Sequence, residues 1–97
     1  MAVKVVLSRT ARLQLSVLLQ SVALESPSGA RRLEAAVTEL LGPIGEYPES
    51  CAPFGTRGDR IGQAARRISL IYRVKDDRAY VVRAVYAGYD LRRLLDE

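Results

Sequence analysis

Arginine is the residue type in this chain that is best suited to binding chemistry. Thirteen of the fifteen cationic residues are arginines, whose planar guanidinium groups fit phosphates, carboxylates and aromatic faces. Residues 1–54 hold five basic and five acidic residues, whereas residues 55–97 hold ten basic and six acidic ones. The net charge of +4 therefore comes from the second half, which we expect to face an anionic partner. The alternative is a hydrated basic face that only keeps the protein dissolved.

The residue types that the sequence lacks exclude several kinds of catalytic and metal site. There is no histidine, which excludes a Ser-His-Asp triad, a Cys-His pair and a zinc site built on imidazole. Cys51 is the single cysteine, so an intrachain disulfide and a four-thiolate site are excluded, and we expect an inert thiol. The spacing of Gly55, Gly58 and Gly62 matches neither a P-loop nor a dinucleotide-binding motif. We therefore expect no cofactor, no metal and no small-molecule substrate.

Length and hydropathy predict one domain, residues 1–97, that does not enter a membrane. A content of 48% hydrophobic and 27% charged residues is typical of a packed core. The longest stretch without a charge, residues 13–24, is too short and too polar to span a bilayer. Lys4 interrupts the short apolar run at the N-terminus, which does not resemble a signal peptide. We expect a cytoplasmic protein.

The spacing of apolar residues predicts the elements that position these groups. A strand at 3–7 precedes a helix that begins at Ser8 or Thr10 and ends near residue 24. We expect Ser28 to cap a second helix, which Gly42-Pro43 stops or kinks. The other expected elements are one short strand near 57–61 within a loop at 45–65, and a short helix at 91–95.

Two segments of alternating hydrophobicity, 68–75 and 79–86, predict a β-hairpin. A three-residue turn at 76–78 would place one continuous apolar face on the hairpin. That face would combine Ile68, Leu70, Tyr72 and Val74 with Tyr86, Ala84, Val82 and Tyr80. The order of elements predicts an α+β fold: an N-terminal strand, a helical hairpin packed on an antiparallel sheet of three to four strands, and a short C-terminal helix.

The first predicted helix lacks charge on the face that would normally point to water. No charged residue occurs at 13–24, although a helix on a sheet needs an apolar stripe only about 100° wide. We interpret the uncharged face as a docking groove for a partner chain. The alternative is a hydrated face formed by Gln14, Ser16, Gln20 and Ser21. The residues predicted to bind the partner are Leu13, Val17, Leu18, Leu24, Leu33, Val37 and Leu41.

The second candidate surface is the other face of the predicted hairpin. It carries Arg73 and Arg83 at diagonal positions, where like charges repel unless an anion joins them. An anionic partner would supply that anion, or else Asp76, Asp77 or Glu97 supplies it within the chain.

Tyrosines interleave with these arginines, as they do in surfaces that stack nucleic-acid bases. Tyrosines at alternate strand positions are usually core residues, so we expect Tyr72 and Tyr80 to be structural. Tyr89, which follows the hairpin, is the tyrosine expected on the surface.

Five segments occur along the chain in a distinctive order and spacing: Leu7-Ser8-Arg9-Thr10-Ala11, Glu46-Tyr47-Pro48-Glu49, Leu70-Ile71-Tyr72-Arg73-Val74, Val82-Arg83-Ala84-Val85-Tyr86 and Asp90-Leu91. In that order and spacing they resemble the ParE branch of the RelE/ParE toxin superfamily. The resemblance covers nearly the whole chain. It implies a toxin of a type II toxin-antitoxin system, which a cognate antitoxin wraps and holds inactive as a hetero-oligomer.

The superfamily has two activities, and the resemblance implies which residues separate them. RelE-like members cut messenger RNA in the ribosome with basic residues and a tyrosine at positions that hold Ser69, Tyr89 and Leu95 here. These three residues supply neither a good proton acceptor nor a cation for the transition state. ParE-like members inhibit DNA gyrase and have no catalytic residues of their own, which is the activity we expect. The target-facing basic surface is then predicted to contain Arg66, Arg67, Arg73, Arg83, Tyr89, Arg92 and Arg93.

Two other functions stay open from the sequence. In an endoribonuclease, Arg66 or Arg67 would replace the missing basic residue after a shift of register. In a small nucleic-acid-binding module, the arginines would bind RNA or DNA without any toxic activity.

Overall fold

The chain folds into two long helices packed on one face of a mixed β-sheet. The computed structural model describes residues 2–86, 89 and 91–95. Along these residues the elements are β1 (Lys4–Leu7), α1 (Arg9–Glu25), α2 (Pro27–Glu46), β2 (Ala52–Phe54), β3 (Asp59–Ala64), β4 (Ile68–Lys75), β5 (Arg78–Tyr86) and α3 (Arg92–Leu95). The strand order is β1-β5-β4-β3-β2, with β1 parallel to β5 and every other pair antiparallel. The predicted α+β fold is confirmed, and the described part of the sheet has five strands rather than three to four.

The core lies between the two long helices and the sheet face that they cover. Its buried residues are Ala11 of α1, Leu33, Val37 and Ile44 of α2, and Ala64, Ile68, Leu70, Tyr72, Ala79, Val81 and Ala84 of the sheet. Each buried leucine, isoleucine or valine side chain stabilises the fold by about 1.5 to 3 kcal/mol before entropy is subtracted. Within the part of the chain that the structure describes, no helix has the length and apolar character needed to cross a bilayer.

A single residue, Ser26, joins α1 to α2. Its N–H donates to the carbonyl of Val22 at 2.8 Å and closes α1, while its Oγ accepts the N–H of Gly29 at 3.0 Å and opens α2. Pro27 follows in the first turn of α2, where its fixed φ suits a helix and its missing N–H has no partner to lose. The prediction that Ser28 caps this helix is therefore wrong. The predicted cap of α1 is confirmed at Ser8, whose Oγ accepts the N–H of Ala11 at 3.0 Å.

The second helix continues through Pro43 and ends at Glu46, so of the two predicted effects of Gly42-Pro43, a stop or a kink, the stop is wrong. Tertiary contacts hold its last turn. Ile44 is fully buried, and the carbonyl of Gly45 accepts the N–H of Val3 at 2.7 Å. These contacts outweigh the local cost of a proline inside the helix.

The hairpin of β4 and β5 has a tighter turn than the sequence predicted. Lys75 pairs with Arg78, so the turn contains two residues, Asp76 and Asp77, instead of three. Asp76 has a φ of 58°, a left-handed conformation that aspartate adopts more readily than most residues. The pairing near the turn is therefore shifted by one residue from the predicted register.

A β-bulge restores the predicted register further along the hairpin. Tyr72 pairs with Val81 and Ile71 pairs with Arg83, so Val82 is an extra residue on β5. Beyond the bulge, the predicted pairs of Leu70 with Ala84 and Ile68 with Tyr86 are confirmed. Before it, Ala79 and Val81 enter the core in place of the predicted Tyr80 and Val82.

Tyr72 connects the sheet to the segment that follows α2. Its side chain is fully buried, as expected, and its hydroxyl donates to the carbonyl of Pro48 at 2.7 Å. Burial, assisted by the neighbouring Cys51 thiol, raises the pKa of Tyr72 to about 12. Arg60 holds the same segment by donating to the carbonyls of Glu49 at 3.1 Å and Cys51 at 2.6 Å.

We expect Tyr72→Phe to lower the free energy of unfolding by about 1 kcal/mol at neutral pH, because the carbonyl of Pro48 loses its donor. The unfolded tyrosine ionises near pH 10 and the folded one near pH 12, so this group lowers stability as the pH rises between those values. Between those two pH values, the free energy of unfolding of the wild type should fall by up to about 1.4 kcal/mol more per pH unit than that of Tyr72→Phe. Urea unfolding across this pH range tests both effects. Tyr47→Phe, at an exposed tyrosine, is the control, and equal behaviour of the two variants would contradict the assignment.

Candidate docking groove and arginine-bearing sheet face

An apolar groove runs along α1, between that helix and the end of β5. Its rim is formed by Leu13 and Val17 of α1, which are 61% and 64% exposed, and by Tyr86 of β5, which is 53% exposed. This depression has a volume of about 370 Å³, and it adjoins a second one of about 380 Å³, since Leu18 and Tyr86 line both. We call the two together the α1 groove. The second depression is lined by Leu18, Ser21, Val22, Leu33, Arg67, Ile68 and Tyr86.

The groove exists because β1 is shorter than β5. Residues Lys4–Leu7 pair only with Arg78–Val81, so the last part of β5 extends beyond β1 along the start of α1. The Oε1 atom of Gln14 accepts the N–H of Ala84 at 2.8 Å and satisfies one donor of this strand edge. A helix side chain thus replaces a strand hydrogen bond, and the space beside it stays open.

The seven residues predicted to bind a partner fall into three groups. Leu13, Val17 and Leu18 line the α1 groove, as does Leu33, although its side chain is nearly fully buried. Val37 is a core residue and Leu41 packs against the core, because α2 turns these positions towards the sheet. Leu24 is 90% exposed at the end of α1 but lines neither depression.

The uncharged face of α1 combines both interpretations offered by the sequence. Gln14 lines the groove and bonds to Ala84, and Ser21 lines the second depression. Ser16 and Gln20 are exposed on the other flank of the helix, beside Leu15 and Leu19. Both flanks of the helix therefore mix apolar with uncharged polar residues, and Leu13 and Val17 make the groove side apolar at its rim.

The sheet face opposite the long helices carries arginines around an apolar floor. A depression of about 300 Å³ is lined there by Phe54, Arg57, Asp59, Ile71, Arg73, Val82, Arg83 and Leu94. We call this surface the outer face. The bulge leaves both Val82 and Arg83 on this face, beside Arg73. The structure therefore brings the two predicted diagonal arginines to one surface.

The counter-ion of Arg73 is Asp59 of β3. The Nε atom of Arg73 donates to Oδ1 of Asp59 at 2.8 Å, which raises the pKa of Arg73 through the hydrogen bond and the opposite charge. The predicted partners Asp76 and Asp77 lie in the hairpin turn and do not pair with Arg73, and Glu97 lies outside the described residues. The sequence prediction missed Asp59 because the pairing of β3 with β4, which sets Asp59 opposite Arg73, was not predicted.

The short helix α3 lies against the outer face. Leu94 lines the arginine depression, and a Cβ atom added at Gly55 would lie 2.8 Å from Cδ2 of Leu95. Gly55 also has a φ of 71°, so this position favours glycine for two reasons. Arg92 and Arg93 of α3 are exposed. Four predicted target-facing residues, Arg73, Arg83, Arg92 and Arg93, thus lie on the outer face or on the helix that covers it.

The other three predicted target-facing residues lie elsewhere. Tyr89 is half-buried rather than exposed, lines the α1 groove, and contacts Tyr86 edge-to-face at 6.1 Å between ring centroids. Arg66 and Arg67 lie in the turn between β3 and β4, where Arg66 is exposed and Arg67 lines the groove. The positions that a RelE-like nuclease would use are also dispersed, since Ser69 is only 2% exposed in the sheet and Leu95 is on α3. Among the described residues, no group of three or more His, Cys, Asp or Glu side chains is placed to hold a metal ion.

Comparisons with known proteins find solved structures that have a similar fold. No protein-family model matches the sequence, and no curated protein matches it at a significant level. A chain of the chromosomal ParDE toxin-antitoxin system from P. aeruginosa is similar with a TM-score of 0.77 and 19% identity, over 90% of this chain and 98% of that one. A chain of the toxin-antitoxin complex RelBE2 from Mycobacterium tuberculosis is similar with a TM-score of 0.64 and 22% identity, over 89% and 99% of the two chains. The chain has a RelE/ParE-like fold, as its sequence resemblance predicted.

We expect Gly55→Ala to loosen α3 more than Gly58→Ala does. Both glycines have a positive φ, so both substitutions strain the backbone by about 1 to 2 kcal/mol. A Cβ at position 58 would meet open space, whereas one at 55 would meet Leu95. Limited trypsin digestion should therefore cut faster after Arg92 and Arg93 in Gly55→Ala, while urea unfolding shows similar losses for both variants. Equal cleavage rates would mean that α3 is not held at Gly55.

Proposed function

We propose that this protein is the toxin of a type II toxin-antitoxin system, that it acts in the cytoplasm, and that an antitoxin neutralises it by binding the α1 groove. We further propose that it inhibits DNA gyrase through the outer face and α3. The observation that carries the proposal is an apolar groove left open on a RelE/ParE-like fold.

The fold supports the toxin assignment. The similarity extends over about nine-tenths of this chain and nearly all of each neighbour, so it concerns the whole fold and not a shared fragment. Both neighbours come from toxin-antitoxin systems. Fold alone does not determine function, and the site must supply the rest of the argument.

The groove supports an antitoxin as partner. Leu13, Val17 and Tyr86 are more than half exposed along one continuous apolar channel, which is costly to leave in water. A partner segment that inserts apolar side chains would bury these residues, as in other helix-in-groove complexes. The family resemblance implies such a partner, and the groove offers it an open apolar channel.

The residue types favour gyrase inhibition over cleavage of messenger RNA. Attack by a ribose 2′-hydroxyl needs a proton acceptor and a cation that stabilises the developing negative charge. Ser69 is buried in the sheet, and Leu95 has no polar atom on its side chain. An inhibitor needs only a complementary surface, and the outer face offers arginines around Ile71 and Phe54.

Purified protein should inhibit the supercoiling of plasmid DNA by gyrase and leave messenger RNA intact in a translating extract. Arg93→Glu on α3 should weaken this inhibition at least tenfold, because it reverses an exposed charge of the proposed surface. Arg31→Glu makes the same change at an exposed position of α2 and should not weaken the inhibition.

Cleaved message without inhibition of gyrase would support the RelE-like nuclease instead. Salt-sensitive nucleic-acid binding with neither effect would support a non-toxic binding module.

We expect Val17→Glu to abolish neutralisation while leaving toxicity unchanged. The substitution places a carboxylate in the apolar channel, and burying it there should weaken antitoxin binding at least tenfold, or about 1.4 kcal/mol. The fold should be unaffected because Val17 is largely exposed. The measurement is growth of cells that co-express the variant and the product of the adjoining upstream reading frame.

The matched control is Ser16→Glu, which adds the same charge at the neighbouring exposed position on the other flank of α1. Neutralisation of Ser16→Glu should be normal. If both variants are neutralised as well as the wild type, the antitoxin does not use the α1 groove.

A further inference from the structure

Arg67 stands apart from the other arginines because it lies at one end of the α1 groove. It lies in a turn in which Ala65 and Arg66 have φ values of 52° and 58°, and its N–H donates to the carbonyl of Ala64 at 3.0 Å. This turn fixes where β4 begins, and it places Arg67 beside Leu18, Ser21 and Tyr86. The sequence had assigned Arg67 to the target-facing surface.

Arg67 is the one charged residue among the described residues that line the groove. Along the rest of the channel the lining is apolar, apart from Ser21, Gln14 and the two tyrosine hydroxyls. Within the described residues, no carboxylate lies within 4.0 Å of the Arg67 guanidinium, in contrast to the pairing of Arg73 with Asp59. Among the described residues, the groove therefore ends in a cation that has no counter-ion.

We infer that Arg67 receives a carboxylate of the antitoxin, and that the segment bound in the α1 groove presents apolar side chains followed by an acidic residue. This inference rests on the proposed function, because it specifies the chemistry of the partner at the same site. Apolar contacts along Leu13 and Val17 supply most of the affinity. The carboxylate at Arg67 fixes the direction and the register of the segment, since only one end of the groove is charged.

A displayed library of amphipathic peptides, selected against the purified chain, tests this inference without knowledge of the antitoxin. Selection on the wild type should enrich Asp or Glu at a constant distance from the apolar positions. Selection on Arg67→Gln should enrich the same apolar pattern without the acidic residue. Selection on Arg66→Gln, the matched control at the exposed neighbour that does not line the groove, should reproduce the wild-type result.

A synthetic peptide taken from the enriched sequences gives the quantitative test. Its affinity should fall about two- to fivefold for Arg67→Gln at low salt, as for a solvent-accessible ion pair, and the difference should vanish near 1 M salt. Val17→Glu should prevent binding, which locates the peptide in the groove. Loss of affinity in Arg66→Gln equal to that in Arg67→Gln, or enrichment without any acidic preference, would overturn the inference. Absence of any enriched peptide would also overturn it.

The peptide experiments test the role of Arg67, whereas the gyrase and neutralisation assays test the proposed function, so one can fail without the other. Acidic peptides that depend on Arg67 would establish the anchor even if the chain does not inhibit gyrase. Conversely, neutralisation that depends on Val17 but selects no acidic residue would retain the proposed function and remove the anchor.

Discussion

Both candidate surfaces depend on the way in which β5 is paired. The strand has neighbours on both sides only where Arg78–Val81 lie between β1 and β4. Beyond that point α1 takes the place of β1, and the amide of Ala84 bonds to a glutamine side chain instead of to another strand. The curved surface of α1 does not pack flush against the edge of β5. The helix therefore covers the core but leaves a channel beside the strand. A longer β1 would have closed this channel.

The bulge at Val82 connects the core to the arginine-bearing face. An extra residue in β5 reverses which side chains point inward, so Ala79 and Val81 fill the core before the bulge and Ala84 fills it after. The same irregularity leaves Val82 and Arg83 on the outer face, next to Arg73. Core packing and the positions of the surface charges are therefore set by one local feature. Asp59 then neutralises Arg73 from the neighbouring strand.

The sequence predicted most of the elements because their apolar periodicity is strong, as in α1, β4 and β5. It did not predict the register near Asp76, since the turn length depends on a left-handed aspartate that no pattern reveals. The pairing of β3 with β4 was also missed, because the sequence predicted only one short strand near 57–61 within a loop, and with the pairing the partner of Arg73 was missed. Leu13, Val17 and Leu18, which were predicted to bind a partner, line an open channel, whereas Val37 has the same helical spacing and lies in the core. Periodicity identifies the apolar stripe of a helix, but the side of the stripe that stays uncovered depends on the length of neighbouring strands.

The junction at Ser26 makes the helical hairpin intolerant of changes in length. One residue serves as the end of α1 and the beginning of α2, so no loop is available to absorb an insertion. An added residue that joined α2 would turn the helix by about 100° and shift it by about 1.5 Å relative to α1. Leu33 would then rotate away from the sheet, and the floor of the second depression would rotate with it. Related chains that keep this groove should therefore vary in the residues around the junction but not in their number.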